Sequence, residues 1–112
     1  MMGETDFTLH NVQMLLTRNK SKQWQEEIIK SSTVLLAFLK NNGLLVDVDP
    51  FDEQGKLKID TVIKMSNVTK DGLALFKNTV DGWYNYLARS TAPNKYENIS
   101  RLEKGLVKIR DK

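Results

Sequence analysis

The chain has 112 residues, of which 40% are hydrophobic and 28% charged, and its net charge is +3. These values are those of one ordinary globular domain, so we predict a single domain over residues 1–112, with residues 1–6 flexible. The absence of cysteine excludes disulfides and thiolate chemistry. Residues 34–39 form the longest apolar stretch, far below the roughly 18 residues of a membrane span. No secretory signal pattern precedes it, so a cytoplasmic location is expected.

The first predicted helix covers residues 8–18. Leu9, Val12 and Leu16 lie on one side of it at helical spacing. The same residues, together with Phe7 and Met14, also alternate as in a strand, so a strand is an open alternative.

The second predicted helix covers residues 21–41. Its apolar stripe is Trp24, Ile28, Leu35 and Leu39, and Gly43 follows as a residue that easily takes the left-handed conformation after a helix. Because residues 34–39 are apolar on all sides, we expect this helix to be central and buried.

Residues 44–65 lose the helical period and hold short runs rich in β-branched residues. Residues 44–48 and 57–65 are candidate strands, separated by a turn-like segment that contains Pro50 and Gly55. The pattern predicts a short β-hairpin, and an extended irregular loop is the alternative because the connection is long for a hairpin.

The third predicted helix begins after Thr69, a good N-cap residue. A regular stripe of apolar residues follows and should face the core, and Gly82 within it indicates either close approach of another element or simple tolerance. The stripe consists of Leu73, Phe76, Val80, Trp83 and Leu87.

The last predicted helix runs from a capping box at Asn94 and Glu97 to about Arg110, after a break at residues 90–93. Ile99, Leu102, Leu106 and Ile109 form its apolar seam. The predicted fold class is therefore mainly α with minor β: four helices, with a short hairpin or extended loop between the second and third.

Catalytic and metal-binding patterns are weak. His10 is the only histidine, and we assign it to the surface or to a helix cap rather than to catalysis. The glycines are too scattered for a phosphate-binding loop, and the aspartates near Pro50 do not have the spacing of a calcium loop. Asp47 and Asp49 are a carboxylate pair, but nothing in the sequence places them in a pocket. We expect a non-enzymatic protein without metal or cofactor.

Two surfaces are candidate binding sites. The densest acidic segment would suit a basic protein partner, and two tyrosines beside Trp83 would suit binding anchors. The alternative for the tyrosines is packing against a neighbouring helix, and the exposed side of the third helix is a candidate homodimer contact. These partner-binding candidates are Asp47, Asp49, Asp52, Glu53, Tyr84 and Tyr86.

The second half of the chain is basic. Residues 1–56 hold 8 acidic and 6 basic side chains, whereas residues 57–112 hold 6 and 11. The alternative function is therefore a small nucleic-acid-binding protein that contacts phosphates through this half. Its candidate residues are Arg89, Lys95, Arg101, Lys104, Lys108 and Arg110.

Over residues 41–75, the segments 42–47 (Asn-Gly-Leu-Leu-Val-Asp) and 67–73 (Asn-Val-Thr-Lys-Asp-Gly-Leu) resemble small bacterial immunity proteins encoded beside toxin genes. The resemblance implies a rigid cytoplasmic domain that binds and neutralises a cognate toxin. Immunity proteins against basic nucleases are usually acidic and this chain is not, so its acidic segment alone would supply the pairing.

Overall fold

The computed structural model describes residues 6–111. The chain divides into two compact units, one ending at Val68 and the other beginning at Thr69. The single domain stays a prediction. The predicted flexibility of residues 1–6 falls outside the described residues except at Asp6, whose carboxylate accepts hydrogen bonds from the Ser66 N–H at 2.9 Å and the Ser66 hydroxyl at 2.6 Å.

The first element is a strand followed by a short helix: β1 spans Thr8–Asn11 and α1 spans Val12–Thr17. The predicted start of a helix at residue 8 is wrong. Asn11 ends the strand and caps the helix, because its side chain accepts a hydrogen bond from the Met14 N–H at 3.0 Å. The alternating pattern therefore governs residues 8–11, and the helical period takes over only after this cap.

The partner of β1 is β2, Val62–Lys64, in an antiparallel two-stranded sheet. His10 pairs with Ile63, and the register shifts between Thr8 and His10. Only the second candidate strand of the predicted hairpin therefore forms, and it pairs with the N-terminal strand. Residues 42–61 form the extended loop that is the predicted alternative to a hairpin. Their only strand-like pairings are two isolated bridges, from Leu45 to Val68 and from Phe51 to Leu57.

The helix α2 spans Lys22–Asn41, as the sequence predicts. The Ser21 hydroxyl caps its start by accepting from the Trp24 N–H at 3.1 Å. Its end is a left-handed turn at Gly43, where φ is +68°, and the Leu44 N–H then donates to the Leu39 carbonyl at 2.9 Å. With Val12 and Ile63, this helix forms the core of the first unit; its buried apolar side chains are Ile28, Leu35, Leu36, Phe38 and Leu39.

The third helix is continuous but contains a π-helical turn. It consists of α3 (Lys70–Leu75), the π turn (Phe76–Val80) and α4 (Asp81–Arg89). The N-cap is the predicted one, since the Thr69 hydroxyl accepts from the Gly72 N–H at 3.1 Å.

The π turn changes which residues are buried. Up to its first residue, Gly72 and Leu75 are buried, whereas the predicted Leu73 and Phe76 are only half-buried. From its last residue onward, Val80, Trp83 and Leu87 are buried as predicted. A π turn winds one extra residue into the helix, so one regular stripe cannot describe both halves.

The last helix, α5, spans Ser100–Arg110. The predicted capping box is wrong: residues Lys95–Glu97 form a separate 3₁₀ turn, and the side chain of Asn94 makes no capping hydrogen bond. Leu102 and Leu106 of the predicted seam are buried with Leu75 and Trp83 in the core of the second unit, whereas its outer members, Ile99 and Ile109, are half-buried. The fold is mainly α with minor β, as predicted, and no helix within residues 6–111 is long and apolar enough to cross a membrane.

Candidate functional site

The acidic loop, residues 47–53, is held in place by its own side chains. Asp49 accepts a hydrogen bond from the Phe51 N–H at 3.0 Å and pairs with the Lys40 ammonium at 3.2 Å. The Phe51 N–H and the neighbouring Lys40 hold the pKa of the Asp49 carboxyl below its usual range. Asp49 therefore holds the loop to the end of α2.

Asp52 forms the turn that closes this loop. Its carboxylate accepts from the N–H groups of Gln54 and Lys56, both at 2.9 Å. Beyond the turn, the Lys58 N–H donates to the carbonyl of Pro50, a fully buried residue, at 2.8 Å. This hydrogen bond joins the two ends of the segment from Pro50 to Lys58, which we call the closed segment.

Asp47 and Glu53 are the carboxylates that the loop leaves available. Both are exposed, and neither makes a hydrogen bond or ion pair with any of residues 6–111. Asp47 has a φ of 55°, a left-handed conformation that aspartate tolerates better than most residues. Of the four predicted acidic residues, two therefore hold the loop together and two are presented to solvent.

An exposed apolar side chain lies directly after this closed segment. Ile59 is 55% exposed, and it follows Lys58. Residues 47–60 contain 5 acidic and 2 basic side chains, for a net charge of −3. The sequence patterns gave no reason to single out Ile59, because an isoleucine in a β-rich run is expected to be buried.

The histidine is in a different place from the one predicted. His10 is buried, and its Nε2 lies 2.9 Å from the hydroxyl oxygen of Ser32. Burial lowers the pKa of His10 to about 4, so the ring is neutral at physiological pH. A serine beside a histidine is a pair that nucleophilic catalysis uses, but Ser32 is 0% exposed and no substrate can reach it. The contact is therefore structural.

No group of three or more histidine, aspartate or glutamate side chains among residues 6–111 is arranged to hold a metal ion.

The two tyrosines are half-buried in the second unit. The Tyr84 ring packs edge-on against Trp83, with ring centroids 5.3 Å apart. The Tyr86 hydroxyl accepts from the Asn98 amide at 3.2 Å, and the Arg101 guanidinium lies 5.4 Å from the centre of the Tyr86 ring. Both rings thus help to hold the unit together, and their role as partner anchors stays a prediction.

The six basic candidates do not form one surface. The Lys95 ammonium donates to the carbonyls of Leu87 and Ser90 at the end of α4, at 2.8 and 3.3 Å. Arg110 pairs with Asp71 at 3.6 Å. Arg89 is exposed but does not line the depression formed by the remaining three.

Arg101, Lys104 and Lys108 come together along one side of α5. They line an open groove of about 570 Å³ whose other wall is the π turn and the start of α4. We call it the basic groove; its remaining lining residues are Asn78, Thr79, Gly82, Gly105 and Ile109. Sequence patterns indicate the cations but not this opposite wall, because the placement of the π turn against α5 is a tertiary feature.

Gly105 allows these two elements to meet. A Cβ atom on Gly105 would lie 2.9 Å from the Cβ of Thr79, closer than side chains pack. A Cβ on Gly82 would instead meet nothing within 4 Å. Of the two explanations for Gly82, simple tolerance is therefore correct, and close approach occurs at Gly105.

Comparison with protein-family models, with curated protein sequences and with solved structures finds no match to this chain. Inference about function consequently depends on the chain's own residues.

Proposed function

We propose that the chain is a non-enzymatic protein-binding domain that acts in the cytoplasm as a bacterial immunity protein, binding and neutralising a cognate toxin. The observation that supports this proposal is the acidic loop, which its own side chains hold in place. It presents the free carboxylates of Asp47 and Glu53, and the exposed Ile59 comes directly after the closed segment that ends at Lys58. Exposed charges around an apolar contact are typical of protein interfaces.

The order of the acidic loop before binding favours high affinity for a partner. A loop that is already ordered loses little conformational entropy when a partner docks, so more of the contact energy appears as affinity. Hydrogen bonds from backbone N–H groups to the Asp52 carboxylate, together with the ion pair of Asp49, provide that order before binding. The free carboxylates then steer and pair with lysine or arginine side chains of a basic partner.

The first test is affinity capture of the tagged protein from source cells, at low and moderate salt and with and without nuclease. The test variant combines Asp47→Asn with Glu53→Gln, since asparagine also tolerates the left-handed conformation at position 47. The matched control combines Glu26→Gln and Glu97→Gln, which remove the same charge from exposed positions outside the loop.

The proposal predicts one protein partner that survives moderate salt and nuclease, is retained by the control and is lost by the loop variant. The partner should also be toxic when expressed alone and harmless when co-expressed with this chain. Equal capture by the loop variant and the control would contradict the proposed binding surface. A captured partner whose toxicity is unaffected by co-expression would contradict neutralisation.

A further inference from the structure

The second unit has a charge opposite to that of the acidic loop. Residues 69–112 contain 9 basic and 5 acidic side chains, for a net charge of +4. Of the eight residues that line the basic groove, three are cationic and none is acidic or aromatic. No residue that lines the groove therefore offsets its positive charge.

The three cations are spaced along the groove. Arg101, Lys104 and Lys108 are separated by three and four residues, which places them on one face of α5. From the first to the last, the helix rises about 10.5 Å, at 1.5 Å per residue. Consecutive phosphates of one DNA strand rise about 3.4 Å along the duplex axis, so a row of cations parallel to that axis covers about three phosphate steps.

The opposite wall supplies neutral hydrogen-bonding groups and open space. Asn78 and Thr79 belong to the π turn, and side chains of both types commonly contact phosphate oxygens in protein–DNA complexes. Gly82 leaves the groove open on this side, since a Cβ there would meet nothing within 4 Å. Arg101 is placed over the Tyr86 ring, which orients its guanidinium.

We infer that the basic groove binds the phosphate backbone of a nucleic acid. Charge complementarity, the spacing of the cations and the neutral donors of the π turn support this occupant. The groove lacks aromatic side chains on which bases would stack, so the contact is to phosphates and is independent of base sequence. This binding is separate from toxin neutralisation, because it uses a different unit of the chain.

The test measures binding of the full chain to a fluorescein-labelled 20-base-pair duplex, by anisotropy, between 50 and 200 mM salt. Three phosphate contacts predict a slope of about −2.7 in log K against log salt, or about a 40-fold loss of affinity over this range. A single-stranded 20-mer is the second probe, with inorganic phosphate as competitor and a labelled polyglutamate peptide as the protein-like probe.

Variants locate the site. Lys104→Gln should weaken binding about fivefold at 50 mM salt and reduce the slope by about 1, because one phosphate contact is lost. Lys77→Gln and Arg89→Gln remove the same charge from exposed positions that do not line the groove, and each should change affinity less than twofold. Gly82→Leu fills the groove without changing charge, and it should abolish binding while the melting temperature stays the same or rises.

Four results would overturn the inference. The first two are the absence of oligonucleotide binding at 50 mM salt and equal losses of affinity in the groove variants and the charge controls. The other two are unchanged binding by Gly82→Leu and tighter binding of polyglutamate than of either oligonucleotide. The last would assign the groove to an acidic protein segment. Since the partner-capture experiment uses loop variants and this one uses groove variants, failure of either proposal is distinguishable from failure of the other.

Discussion

Lowering the pH from 7 to 5 should destabilise the protein through one side chain, His10. Burial lowers its pKa from 6.5 to about 4 in the folded state. Once the chain unfolds, the ring is in water and its pKa returns to about 6.5. Between pH 6.5 and 4, His10 is therefore protonated in the unfolded state but neutral in the folded state. The free energy of unfolding consequently decreases as the pH falls from 6.5 towards 4.

The magnitude follows from the size of the shift. Each pKa unit corresponds to about 1.4 kcal/mol, so the full effect is about 3 kcal/mol and is reached near pH 4. At pH 5 the expected loss is about 2 kcal/mol, a large fraction of the stability of a small domain. His10 is the only histidine, and ordinary carboxyl pKa values lie below this window, so the change is assigned to one residue.

The assay is urea denaturation followed by tryptophan fluorescence at pH 7, 6 and 5. His10→Gln, which keeps a polar atom near Ser32, should be less stable at pH 7 but show no loss between pH 7 and 5. Equal pH dependence in His10→Gln and the unmodified chain would refute the assignment. So would a stability of the unmodified chain that does not change over this range, because the ring would then be accessible to protons in the folded state.

Three further predictions concern the second unit and are measured by thermal and urea unfolding. Gly105→Ala should lower the free energy of unfolding by about 1–3 kcal/mol because the new methyl group meets the Cβ of Thr79. Gly82→Ala should instead stabilise the chain by about 1 kcal/mol, because the new methyl group meets nothing. Destabilisation by both substitutions would contradict the packing described at Gly105. Thr69→Ala should cost about 1 kcal/mol through loss of the N-cap of α3, and Thr69→Ser should recover most of it; equal losses in the two variants would contradict a role of the hydroxyl as the cap. Lys95→Met should cost about 1 kcal/mol because two carbonyls at the end of α4 lose their donor, and a change below 0.3 kcal/mol would show that water replaces the ammonium fully.

Local signals in the sequence account for much of the fold. The cap at Thr69 and the glycine turn at Gly43 are local features, and the structure has both where the sequence predicts them. Each is determined by hydrogen bonds within a few residues of the chain.

What the sequence misses depends on distant residues. The pairing of β1 with β2 joins segments more than fifty residues apart, and no local pattern favours it over a hairpin. The π turn and the contact of Thr79 with Gly105 are likewise set by packing, so the regular stripe through Leu73 and Phe76 gave the wrong buried face.

For the candidate sites too, the sequence reveals some features and the fold is needed for others. Composition identifies which acidic and basic residues to consider, but not how each is used. Only the folded structure shows that Asp49 and Asp52 hold the loop in place while the carboxylates of Asp47 and Glu53 stay available. A residue's charge is visible in the sequence, whereas its hydrogen-bond partners depend on the folded loop.

The most direct test of the proposed function is calorimetric titration of the purified captured partner into this chain at moderate salt. The account predicts tight one-to-one binding that weakens at least tenfold when Asp47→Asn and Glu53→Gln are combined, since paired charges at an interface are costly to lose. The control, Glu26→Gln with Glu97→Gln, should change affinity less than about twofold because exposed charges outside an interface contribute little. Equal affinity of the loop variant and the control would contradict neutralisation through the acidic loop.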